Sequence, residues 1–237
     1  MSRAESAIVG LFMGIMCPLS LFVLGWWISA SVVIYRLLPL RESDIATAAV
    51  IGLGLGIVLD LFCLKTWIPR FYSLDARLTV LVYLFWSAMV VAFFMGLPFG
   101  NLALGTLAGV YVGRRQRHAG VGGGAFLESA RNIGLFTALV TGLEALPIGV
   151  LSLHEQIVVE TLQAVTGLDQ ATLTGPIGLG LVGLGCLLLM VVQFWFARTA
   201  AALAFRFGRK AAYLGRRDHE KAQNGAREIG KGRGTQG

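Results

Sequence analysis

Two carboxylic acids stand inside apolar runs. Glu144 lies in LVTGLEALPIGVLSL, Leu139–Leu153, with Pro147 less than one turn beyond it. Nine residues separate it from Leu153, about 13 Å along a helix, so its carboxyl does not easily reach an interface. An ionised acid at mid-bilayer costs at least ~2.5 kcal/mol on insertion scales. Protonation, a hydrogen bond from another helix or a water-filled cavity relieves that cost. Pro147 also frees the Leu143 carbonyl beside Glu144, because its ring removes the bonding amide. An acid beside a freed backbone acceptor suits a small solute or ion. Asn101 and Gln193 join Glu144 and Pro147 as candidate binding residues, and Gln193 can also serve as an interhelical hydrogen-bond partner. Asp60 lies five residues before Lys65, where it either pairs with Lys65, Arg77 or Arg198 or forms an ion site of its own.

Catalytic chemistry is not expected. No G-x-S-x-G element is present, no lysine stands in a span to activate a serine, and the two acids lie at different depths. His118, His154 and His219 are dispersed through loops and the tail, so no metal or other cofactor is implied. Cys17, Cys63 and Cys186 form no C-x-x-C pair and read as small packing residues. Gly178, Gly180 and Gly183 match G-x-G-x-x-G, but no strand precedes them and no acid follows at the required distance.

The elements that carry these residues follow from composition. The chain is 56% apolar and 14% charged, too little charge to cover a soluble domain of this size. About 20 apolar residues cross a ~30 Å hydrocarbon core. Six runs qualify as spans: Ala7–Tyr35, Ile45–Leu64, Leu78–Leu97, Asn101–Gly113, Ile133–Leu153 and Ile177–Phe205. The first is too long for a signal h-region and reads as a retained helix bent at Pro18. With both termini cytoplasmic, eighteen of the twenty Lys and Arg fall inside and only Arg36 and Arg41 outside. The expected fold is therefore an all-α integral membrane protein, a six-helix transmembrane bundle over residues 1–205 in the cell membrane. Its net charge of +7 follows from this topology and calls for no nucleic acid.

The fourth span is short, thirteen residues. The turn before it, MGLPFGN, is expected to dip below the outer surface, with Asn101 capping the helix that follows. Short helices ending at a midplane site recur in transporters, so Glu144 and Asn101 are read as bordering one outward-facing cavity. Ser73 is the expected cap of the third span. In SLHEQIVVETLQAVTGL, Ser152 and Glu155 have capping-box spacing, and Ile157, Val158, Leu162 and Val165 share a face, predicting an outer amphipathic helix. Residues 206–237 read as a basic, disordered cytoplasmic tail, with Arg206, Arg209, Lys210, Arg216 and Arg217 against anionic headgroups.

Gly105, Gly109 and Gly113 form a small-xxx-small stripe, and Gly52, Gly54 and Gly56 a second glycine set, both read as packing faces within the chain or toward a second copy. Two function classes follow. One is a bundle that binds or transports a small solute or ion at Glu144; the other is a non-catalytic membrane scaffold that docks partner helices through its glycines. Six spans within residues 7–205, both ends inside, resemble in topology the substrate-binding subunits of energy-coupling-factor transporters. GIVLDL, Gly56 to Leu61, resembles a stretch of rod-shape scaffold proteins. No family is assigned from either likeness.

Overall fold

A computed structural model of the chain describes residues 3–39, 41–93, 99–167 and 169–232, with most side chains placed as far as Phe207. The described residues hold helices and no strand. In chain order these are α1 (Arg3–Ile34), α2 (Glu42–Arg70), α3 (Ala76–Phe93), α4 (Phe99–His118), α5 (Gly123–Ser152), α6 (Gln156–Thr166), α7 (Gln170–Thr174) and α8 (Pro176–Gly232). Among the described residues, five stretches are long and apolar enough to cross a membrane: Glu5–Ile34, Glu42–Ser73, Ala76–Phe93, Gly123–Ser152 and Pro176–Phe207. Large apolar side chains stand exposed along them, Leu61 at 75% and Phe62 at 78%. In water such surface would be untenable over this extent; in lipid it is the solvent-facing side. The chain is a multi-pass helical membrane protein. α4 is not among the five, because its last turns carry Arg114, Arg115, Arg117 and His118.

The chain divides into two compact units, Met1–Leu74 and Asp75–Gly237. In the first, α1 and α2 form an antiparallel hairpin held by close backbone approach. A Cβ on Gly25 would stand 2.6 Å from the Ala48 carbonyl oxygen, while Cβ atoms on Gly52 and Gly56 would overlap the Leu21 carbonyl and Pro18. Gly54, in contrast, faces open space, so only two of that expected set serve packing here. Ser29 turns its hydroxyl back to the Gly25 carbonyl, 2.7 Å, which keeps a polar group silent in an apolar helix. Ser73 donates to the Arg70 carbonyl within a 3-10 turn and caps nothing.

In the second unit α8 is the central post. α4 runs parallel to it. Cβ atoms on Gly105, Gly109 and Gly113 would overlap, in order, Gln193, the Ala197 carbonyl and the Ala201 carbonyl. α5 runs antiparallel to α8, with Gly134 against Phe194, Gly142 against Met190 and Gly149 against Val182. The glycine stripe of α4 is thus an internal packing face. Gly178 abuts the Leu173 carbonyl, whereas Gly180 and Gly183 meet nothing within 4 Å.

Helix ends differ from the sequence reading at several points. Asp75 caps α3, accepting from the Arg77 amide at 3.1 Å, in place of Ser73. α4 opens at Phe99, so Asn101 lies inside its first turn and is no cap. Residues 95–98 of the MGLPFGN turn lie outside the described residues. α6 starts after Glu155, whose side chain makes no capping bond, and Ser152 ends α5. The amphipathic helix itself is present; it buries Val159 and leaves Ile157 and Val165 about 80% exposed. The backbone of α8 is helical to Gly232, past Arg206 where disorder was expected. Low hydrophobicity does not oppose a helix there, since Ala, Arg, Lys, Glu and Gln are good helix formers. The side chains of Arg209, Lys210, Arg216 and Arg217 lie outside the described ones.

The basic ends of α4 and α5 lock onto α8. Gln116 donates to Ser129 at 2.9 Å, Arg117 donates to the Phe205 carbonyl at 3.3 Å, and the Phe126 and Phe205 rings stack at 4.0 Å. Phe126→Leu, which keeps most of the apolar bulk and removes the stack, is expected to cost about 1 kcal/mol, read as an earlier melting midpoint in detergent. An unchanged midpoint would show that the stack adds nothing to lipid-like packing of the same surface.

Candidate functional site

The polar residues of the second unit converge on one cluster. Thr137, Thr141 and Glu144 recur at helical spacing on α5; both threonines are fully buried and Glu144 is half-buried. α3 contributes Tyr83 and Ser87, one turn apart, both buried. α4 contributes Asn101 and α8 contributes Gln193, each with no exposed surface.

Their bonding is directional. Ser87 Oγ donates to Glu144 Oε2 at 2.8 Å, and Asn101 Nδ2 donates to the same oxygen at 2.6 Å. Gln193 Nε2 donates to the Asn101 backbone carbonyl at 3.0 Å. The last bond needs Gly105, because any Cβ there would displace the Gln193 amide. These acceptors also settle the amide orientations: turning either amide over would set oxygen against oxygen. Thr137 bonds back to the Gly134 carbonyl at 3.2 Å.

Four buried polar atoms are left over. Asn101 Oδ1, Gln193 Oε1, Thr141 Oγ1 and the Tyr83 hydroxyl have no hydrogen-bond partner among the described residues. The Tyr83 hydroxyl lies close to Gln193 but makes no bond of ordinary geometry to it. Each such orphan costs about 1–3 kcal/mol, and four in one cluster is more than a packed core leaves unmatched. No protein-family model, no curated protein and no solved structure matches the chain. The site's own chemistry therefore carries the functional reading.

Of the residues singled out in the sequence, the structure unites Glu144, Asn101 and Gln193. Pro147 is not in the bonded set; its ring is exposed, on the side of α5 where Leu143 and Leu146 also stand exposed. Ser87, Tyr83 and Thr141 were not singled out. The i, i+4, i+7 recurrence of Thr137, Thr141 and Glu144 was the available signal.

Asp60 belongs to the first unit. It follows Gly52 and Gly56 at four-residue spacing, is 7% exposed and lies beside Cys17. Neither carboxyl oxygen has a hydrogen-bond partner among the described residues of that unit, so the pairing with Lys65 is not formed. The described residues contain no group of three or more His, Cys, Asp or Glu able to hold a metal ion.

Proposed function

We propose that the chain is a six-span, non-catalytic protein of the cell membrane, with both termini cytoplasmic, that binds or transports a small solute or ion at the Glu144 cluster. The observation that carries this reading is the half-buried acid bordered by four unmatched polar atoms. A binding site is where unmatched groups are retained, because the ligand supplies their partners. The parallel course of α4 beside α8, with α5 antiparallel, supports α4 as the sixth span despite its basic end. Glu144 lies nearer the end of α5 at Ser152 than the start at Gly123. That end is the outer one under the positive-inside orientation, which supports an outward-facing cavity.

Native mass spectrometry of the protein in mild detergent, with Glu144→Gln alongside, tests the reading. A bound small mass, lost or weakened at least about tenfold in the variant, is expected. A bare protein unaffected by the substitution would shift the reading to a scaffold. The features favouring that alternative are the open glycines Gly180 and Gly183 on α8 of the second unit and, separately, Gly54 on α2 of the first.

A further inference from the structure

The cluster's hydrogen-bond polarity is lopsided. Each amide nitrogen in it already donates one hydrogen bond: Asn101 Nδ2 to Glu144, and Gln193 Nε2 to the Asn101 carbonyl. The Ser87 hydroxyl hydrogen is likewise spent on Glu144. What remains unmatched is oxygen: two amide carbonyls, at Asn101 and Gln193, and two hydroxyls, at Thr141 and Tyr83. Glu144 Oε1 receives no hydrogen bond from the described residues either, while Oε2 receives two. Carbonyl and hydroxyl oxygens in the same cluster as one carboxylate match a hard cation, and the two amide carbonyls can only accept, so they do not serve an anion. One carboxylate supplies one negative charge. A divalent ion ordinarily recruits several acids, and the hydrogen-bonded set of Ser87, Asn101, Gln193 and Glu144 contains one.

We infer that the Glu144 cluster takes a small monovalent cation, an alkali metal ion or ammonium, held by Glu144, Asn101 Oδ1, Gln193 Oε1, Thr141 Oγ1 and the Tyr83 hydroxyl. This rests on the proposed solute or ion site and gives it a ligand class. The internal hydrogen bonds then have a second role: they hold both amides with their carbonyl oxygens free, so the acceptors are preorganised before the ion arrives.

The full-length protein in mild detergent is melted in sodium, potassium and ammonium chloride, with choline chloride keeping ionic strength constant. At least one small cation is expected to raise the midpoint saturably above choline, as mass action requires. Glu144→Gln abolishes the rise. Thr141→Val is the sharper variant: it removes an orphaned hydroxyl, so the midpoint in choline does not fall, while the half-saturating cation concentration rises about tenfold. A merely structural threonine would not separate those two readouts. Equal midpoints in all four salts overturn the inference, as does a cation effect that both variants retain. Should Glu144→Gln fail to fold, an unchanged half-saturating concentration in Thr141→Val overturns it alone. A bound mass lost in Glu144→Gln without any salt selectivity leaves the solute site standing and removes the cation; neither bound mass nor salt selectivity removes both.

Discussion

Gly109→Leu is expected to be among the most costly single changes in the bundle, at about 3 kcal/mol. The Cβ atom alone would overlap the Ala197 carbonyl oxygen. That neighbour is helix backbone, so no side-chain rotation relieves the clash and α4 must withdraw from α8. Withdrawal also parts Gly105 from Gln193 and Gly113 from Ala201. Within a bilayer such contacts are held by packing, with little hydrophobic drive to re-form them. Thermal melting in detergent reads the effect. Gly180→Leu is the matched control, since its Cβ meets nothing within 4 Å. If both variants melt alike, the stripe does not hold α4 to α8.

Asn101→Leu is expected to lower stability as well. The substitution nearly conserves volume while removing the 2.6 Å bond from Asn101 Nδ2 to Glu144. A hydrogen bond to a charged group is worth about 1.5–3 kcal/mol, whereas the unmatched Oδ1 disappears with it and returns about 1 kcal/mol. The net loss is about 0.5–2 kcal/mol, which the variant's melting midpoint reports. The Gln193 bond survives, because it ends on the backbone carbonyl. Adding Glu144→Met to Asn101→Leu should recover much of the loss, since replacing both partners by apolar groups can be nearly neutral. A double variant less stable than Asn101→Leu would show that Glu144 is held mainly by Ser87 or by something else.

The acids and amides of the site were legible because such groups stand out against an apolar run. Ser87 and Thr141 were not, for a physical reason. Hydroxyls in apolar helices commonly bond their own preceding turn, as Ser20 does to the Met16 carbonyl and Thr106 to Leu102. Residue type alone cannot separate those from a hydroxyl turned toward another helix. Helix ends were misplaced at Ser73, Asn101 and Ser152 for a related cause. Each is a good cap by type, but the helix began two or three residues away from the start it would cap. Pro147 was read for the carbonyl it frees, and the outward turn of its ring was invisible to spacing. The stripe of Gly105, Gly109 and Gly113 was recognised as a packing face, while the helix it meets, α8, was not named by any local pattern. The helices that cross were the most legible part, since length and hydropathy suffice for them.

The position of the two acids along the chain bears on how it is made. Asp60, on α2, is sheltered beside Cys17 of α1, which leaves the ribosome before it. Glu144, on α5, bonds Ser87 of α3 and Asn101 of α4, both earlier in the chain. Only Gln193 comes later, and it binds the Asn101 backbone rather than the acid. Glu144 therefore enters the bilayer after the groups that bond it, and Asp60 after the helix it lies against, so synthesis from the N-terminus does not oblige either acid to wait in lipid for a helix not yet made.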